Sequence, residues 1–141
     1  MALPLEGILV VDLTQNVAGP FCTQTLGDMG AEVVKVERPG RGDDARAWAP
    51  PWWGTESATF MAFNRNKRSL ALDLKREGGL EVLRRLVARA DVFVQSLRPG
   101  AIAELGLDFA RATALNARLV YCSITAFGTA ARSHTCRATT P

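Results

Sequence analysis

Histidine occurs once and cysteine three times in these 141 residues, and neither is placed for metal or redox chemistry. Cys22, Cys122 and Cys136 lie far apart, form no CxxC and have no histidine at ligand spacing. A disulfide framework and a zinc site are therefore both unsupported, and incidental thiols are expected. His134 has no partner at metal spacing, so no metal is expected and the residue is given no role. Every apolar run is broken by charge or glycine well short of the roughly 20 residues that a membrane-crossing helix needs. The N-terminus, MALPLEGILVVD, carries neither a basic start nor a small-residue cleavage site, which points to a cytoplasmic protein with no membrane partner. No GxxxxGKS/T, HExxH or GxSxG is present, so the P-loop, the zinc-hydrolase helix and the nucleophile elbow all lack their signatures. Basic residues are only slightly in excess. Arg132 and Arg137 account for two of the three net positive charges, leaving +1 on residues 1–128 with no basic stripe interleaved with aromatics. Nucleic acid is not an expected partner.

What the chain does have is an apolar content of 48% with 22% charged residues, enough for one core and one domain. Gly7–Asp12 and Glu32–Glu37 are β-rich runs, the second set up by Val33, Val34 and Val36. Between them Pro20 opens a helix whose apolar face is predicted to be Phe21, Thr25, Leu26 and Met29, closed by Gly30. Arg38–Thr55 reads as one long loop rich in Pro, Gly, Asp and Trp, a length at which loops tend to be functional. Its tryptophans, Trp48, Trp52 and Trp53, either line a pocket or pack on another subunit. A weak helix is expected over Glu56–Asn64, a basic turn over Asn64–Ser69 and a strand over Leu70–Leu74. A clear amphipathic helix follows from near Glu77 to Arg89, with Leu83, Leu86, Val87 and Ala90 on one face. Asp91–Gln95 reads as a strand, Pro99 to about Leu105 as a helix, Phe109–Asn116 as a helix capped by Asp108, and Leu119–Ile124 as the last strand. Alternation of this kind predicts an α/β fold, a mostly parallel sheet with helices on both faces. After Phe127-Gly128 the pattern stops, so 129–141 is expected to be a disordered tail on a domain of residues 1–128.

Gly40-Arg-Gly-Asp-Asp-Ala45 formally fits GxGxxA, but dinucleotide binding is rejected. Arg38 and Pro39 separate it from the strand, Asp43 and Asp44 would face the pyrophosphate, and no helix is expected to start there. Cations remain at predicted strand exits: Arg38, Lys67 with Arg68, Lys75 and Arg98. Strand exits of a parallel sheet share one edge, so these charges either converge on a polyanionic ligand or form a solvated rim.

Several stretches in order carry a resemblance. They are Gly7-Ile-Leu-Val-Val-Asp-Leu-Thr14, Ala18-Gly-Pro20, Leu26-Gly-Asp-Met-Gly-Ala-Glu-Val-Val-Lys-Val-Glu-Arg-Pro-Gly40, Gly42-Asp43, Asn64–Ser69, Asp91–Val94 and Arg98-Pro-Gly100. Together, over residues 5–128, they resemble the start of a class III CoA-transferase, the family of formyl-CoA transferase, carnitine CoA-transferase and alpha-methylacyl-CoA racemase. Gly42-Asp-Asp-Ala-Arg-Ala-Trp and Gly54-Thr-Glu-Ser57 are most similar to the succinyl-CoA:glutarate type. The resemblance implies a Rossmann-like sheet that binds coenzyme A or acyl-CoA as substrate, and an interlocked homodimer. It places Val17, Ala18, Arg38, Leu72, Asp73, Leu74, Lys75, Ser96, Leu97 and Arg98 along the CoA site. Glu104 departs from the pattern, since relatives often carry Arg there.

The resemblance also implies the reaction: CoA passes from an acyl-CoA to a carboxylic acid, here a dicarboxylic one, through an aspartyl-CoA thioester. The nucleophilic Asp would lie in a Gly-Asp segment beyond residue 141, so no catalytic residue is assigned. Asp12, Asp28 and Asp43, at a strand end, a helix end and a turn, are not substitutes. An N-terminal fragment without turnover is the expectation. Relatives continue with a pattern like xxGPxAHxPGYDA, and TAARSHTCRATTP can become DGRPLAHLPGYDA when back-translated and read one base upstream, so a shifted frame is the expected origin of the tail. Two alternatives stay open: a nonenzymatic CoA-binding or interaction module, and an acyl-CoA racemase of the same family.

Overall fold

A computed structural model describes residues 2–126 and 128, so the expected tail at 129–141, with His134 and Cys136, lies outside the described residues. Five strands form one sheet in which every pairing is parallel: β1 (Leu9–Leu13), β2 (Glu32–Glu37), β5 (Lys67–Ala71), β6 (Val92–Gln95) and β7 (Val120–Ser123), in the order β5-β2-β1-β6-β7. The other two strands, β3 (Trp52–Trp53) and β4 (Glu56–Ser57), make a small antiparallel ribbon. The helices are α1 (Ala18–Asp28), α2 (Ala58–Asn64), α3 (Glu77–Arg89), α4 (Ala101–Glu104) and α5 (Phe109–Leu115). This is the expected Rossmann-like α/β architecture.

Side chains alternate across the pleat, so β1 feeds two cores. Val11 and Leu13 join Val36, Phe93, Leu83, Val87 and Leu107 on the face covered by α3 and α5. Val10 joins Ala31, Val33 and Val94 on the opposite face, with Leu26 packed against them from α1. Strand order reverses at β1: the chain runs out to β2 and β5 on one side, then returns to β6 and β7 on the other. Such a reversal opens a crevice above the carboxyl ends of the strands, where ligands bind in open α/β sheets.

Two expectations are corrected. The helix α1 buries Gly19, Pro20, Thr23, Gln24 and Gly27 rather than Phe21 and Met29, which are exposed. It lies so close to the sheet that a Cβ at Gly19 would overlap the Thr14 side chain. The third sheet strand runs Lys67–Ala71 rather than Leu70–Leu74, so Lys67 and Arg68 sit at a strand entrance and Leu72–Leu74 lie past its exit. Arg68 pairs with Glu32 at 2.6 Å, where β2 begins. The Lys67 ammonium is buried and donates to Asp12 Oδ2 (3.1 Å), the Pro20 carbonyl (2.9 Å) and Asn64 Oδ1 (2.9 Å). Burial lowers its pKa to about 8 against the opposing pull of the Asp12 carboxylate.

Candidate functional site

The exit of β2 is fastened by its own last residues. Glu37 is buried, and its Oε2 accepts from Arg46 Nε (2.8 Å) and from the Asp43 backbone N–H (2.9 Å). Its Oε1 accepts from a terminal Arg46 nitrogen (2.9 Å) and from Ser69 Oγ (2.6 Å). Burial pushes this carboxyl up, but Arg46, Ser69 and the Asp43 N–H outweigh that and hold it at about 2. Arg46 in turn lies 3.7 Å above the Phe60 ring, which ties the loop to α2. Asp43 accepts from Ala45 N–H at 2.9 Å and so caps a single 3-10 turn over Asp44–Ala47, which Trp48 ends. No longer helix follows there to receive a pyrophosphate.

Past β5, Leu72 N–H donates to the Glu37 carbonyl at 2.9 Å, and Asp73 Oδ1 accepts from Lys75 N–H at 3.0 Å. This loop lies directly on the first turn of α3, where a Cβ at Gly79 would overlap the Asp73 carbonyl. Past β6, Ser96 Oγ accepts from Gln15 N–H at 3.2 Å, joining the ends of β1 and β6. Between these segments is a cleft of about 460 Å³, lined by the ends of β1, β2, β5 and β6.

Arg38, Leu72, Asp73, Leu74, Lys75 and Leu97, all predicted site residues, line this cleft. Ser96 stands one residue behind it. Arg98 faces a smaller adjoining hollow of about 140 Å³ that shares Leu97. Val17 and Ala18 open α1 and are not among the lining residues. Leu13, Gln15, Val36, Glu37, Pro39 and Leu105 also line it and were not among the predicted site residues. Glu37 was signalled by its place at a strand exit, whereas nothing local marks Leu105.

The cations at this edge are not equally free. Arg38 is held by the Gly42 carbonyl (3.2 Å) and Asp44 (2.6 Å), and Arg98 by both oxygens of Glu104 (3.1 and 3.2 Å). Lys75 is exposed and makes no ion pair among the described residues. Lys67 and Arg68 do not belong to this edge, contrary to expectation. Trp52 and Trp53 are exposed and Trp48 is half-buried; none lines the cleft. Asp12, Asp28 and Asp43 are each committed, to Lys67, Arg65 and Lys35 respectively.

Leucines on the walls and cations at the rim suit a ligand with both an apolar part and anionic groups. At the end of the second strand of a dinucleotide-binding sheet, an acid commonly accepts the ribose hydroxyls. Glu37 has that place, but its two oxygens already take four hydrogen bonds from the protein itself.

A Rossmann-like parallel sheet with a partly cationic cleft at its switch point defines the class, an α/β protein of the open parallel-sheet kind. The profile of CoA-transferase family III matches residues 5–139, and the chain belongs to that family. It is 49% identical over 125 residues to the succinyl-CoA:glutarate CoA-transferase of Mus musculus, covering 89% of this chain and 29% of the mouse protein. It is 46% identical over 131 residues to the succinate–glutarate CoA-transferase of Agrobacterium fabrum, of which it covers 33%. A CAIB/BAIF family protein from Brucella suis superposes with a TM-score of 0.92 at 43% identity, over 97% of this chain and 37% of the other. The chain thus spans about a third of the length of these relatives.

Proposed function

We propose that this chain forms the coenzyme A-binding part of a CoA-transferase that moves CoA from an acyl-CoA thioester to a carboxylic acid. The observation that carries this is the cleft at the strand exits, which gathers Arg38, Leu72, Asp73, Leu74, Lys75 and Leu97 in a member of a CoA-transferase family. Lys75 and Arg38 would meet phosphate oxygens, as would Arg98 when it leaves Glu104. The leucines would cover the apolar parts of the ligand. Val17, Ala18 and Ser96 would contribute from the turn after β1 and the end of β6. The relatives that act on succinyl-CoA and glutarate favour a dicarboxylic acceptor.

Chemically, an aspartate carboxylate would attack the acyl-CoA carbonyl and expel CoA thiolate, and the thiolate would attack the aspartyl carbonyl of the anhydride, releasing the donor acid and leaving an aspartyl-CoA thioester; the acceptor carboxylate then expels the thiolate again, which attacks the acceptor's carbonyl and frees the aspartate. None of residues 1–141 matches that nucleophile, so turnover is assigned to a longer polypeptide and binding to these residues. An interlocked homodimer and a cytoplasmic location belong to the same proposal. Calorimetric titration of the chain with CoA tests it: micromolar binding is expected, without CoA exchange between succinate and glutarate. No heat of binding under conditions where circular dichroism shows folded protein would refute it. A nonenzymatic CoA-binding module is the second reading, favoured by a cleft that gathers residues from four strand ends of this chain. It gains ground if binding is found and no longer product of the gene exists.

A further inference from the structure

Lys35 and Asp43 are both 1% exposed and meet at 2.8 Å, a fully desolvated ion pair behind the cleft. Lys35 shares the α1 face of β2 with Val33. Its ammonium donates to the Thr14 carbonyl at 2.9 Å. Asp43 Oδ1 accepts from the Asn16 N–H at 3.0 Å and from Ala45 N–H at 2.9 Å. The pair therefore grips the turn between β1 and α1 on both sides of Gln15, a residue that lines the cleft. Asp12 Oδ1 accepts from the Thr14 N–H (3.0 Å) and Ser96 Oγ from the Gln15 N–H (3.2 Å), so what the pair adds is the hold on the Thr14 carbonyl and on the N–H of Asn16, which is in the left-handed region at φ 68° next to a helix start with no side-chain cap. Through its own N–H, Asp43 is also fixed to Glu37, the lining residue at the exit of β2.

For stability alone such a pair is a poor choice, since an apolar pair of similar volume is commonly as stable or more so. An apolar pair, however, can hold neither the Thr14 carbonyl nor the Asn16 N–H. We infer that Lys35 and Asp43 are positioning residues for CoA binding, setting the β1–α1 turn against the β2 exit loop so that the two walls of the cleft stay in register. This rests on the CoA reading of the cleft. The Lys67–Asp12 pair on the same face is buried too, and its Asp12 holds Thr14 from within β1, but its ammonium ties α1 and the end of α2 to the sheet and neither partner bonds to the β2 exit loop.

The test is made on the full chain. Lys35→Met with Asp43→Asn removes both charges together, so the fold is expected to keep a melting temperature near that of the parent. CoA binding by calorimetry should nevertheless weaken about tenfold, because the turn has lost its donor at Thr14. Exchange of the Gln15 and Asn16 amides in the unliganded chain should speed up at the same time. Lys35→Gln with Asp43→Asn, which also leaves no buried charge unpaired, provides a second reading if the first double variant does not fold. Val33→Ala, in the core away from the cleft, should lower the melting temperature and leave affinity unchanged. If the parent binds CoA and a folded pair variant binds within twofold of it with unaltered exchange, the pair is structural only and the inference fails. If the parent itself binds no CoA, the reading of the cleft fails first and takes the inference with it.

Discussion

Lys75 and Arg98 carry one charge each toward the same edge of the sheet, yet their surroundings make them unequal. Arg98 spends a terminal nitrogen on both oxygens of Glu104, while Lys75 has no acidic partner among the described residues. An exposed ion pair of this kind is worth only about 0.2–1 kcal/mol, but a phosphate must compete with it. Lys75→Ala is therefore expected to weaken CoA binding about fivefold and to flatten its salt dependence, while Arg98→Ala costs about twofold. Glu104→Gln should tighten binding about threefold by releasing Arg98. Titrations at two salt concentrations check all three, and equal losses for the two cations would show that Glu104 yields to the ligand at no cost. At the same scale, Arg46, Ser69 and the Asp43 N–H hold the Glu37 carboxyl at about 2 in the fold, well below its ordinary 4.5. The unfolded chain thus takes up the proton first as pH falls, so this contribution to stability is complete above about pH 4.5 and is lost as pH falls toward 2. Glu37→Gln should melt lower than the parent at pH 7 but lose less between pH 5 and pH 3.

The opening of α3 shows how an element sets the position of a wall. Gly78 faces open space, whereas Gly79 packs against the backbone of Asp73. Gly78→Ala should stabilise by about 0.5 kcal/mol, since alanine is the better helix former and meets nothing. Gly79→Ala should destabilise by about 2 kcal/mol and also weaken CoA binding, because the helix can admit the methyl group only by pushing the Leu72–Lys75 loop. Thermal melts with paired titrations check this, and a Gly79→Ala variant with normal affinity would show that the loop follows the helix without harm. The α3 pattern was fully legible, because Leu83, Leu86, Val87 and Ala90 face the core by apolar burial alone. The packing face of α1 was not. Its close approach selects Gly19, Thr23 and Gly27, small or hydrogen-bonded residues that carry no hydrophobic signal. The start of β5 was misplaced for a related reason: Asn64–Ser69 looks like a solvated turn until Asp12, Asn64 and the Pro20 carbonyl are found gathered around Lys67.

Over the whole molecule, the mostly parallel sheet and the sharing of one edge by its strand exits followed from alternating periods and turn residues, whereas the strand order and the buried pair behind the cleft depend on contacts between segments far apart in sequence. The same long-range packing decides what is left outside. Single exposed apolar side chains are ordinary, but here several lie on elements that touch one another, α1, α2 and the ribbon before α2. Phe21, 56% exposed on α1, meets Phe63 of α2 edge-on with ring centroids 6.2 Å apart. Met61 is exposed on α2, and Trp53, 75% exposed, lies on the ribbon that leads into that helix. Burying such side chains removes about 25 cal/mol per Å² of apolar surface from water, so association is favoured even without a specific polar contact. The chain should therefore sediment above its monomer mass of 15.2 kDa in the micromolar range, with a melting temperature that rises with concentration. Phe21→Gln combined with Trp53→Gln should shift the population toward monomer without changing the far-ultraviolet circular dichroism. A single 15.2 kDa species at every concentration, melting cooperatively at one temperature, would show that this face is satisfied by water and needs no cover.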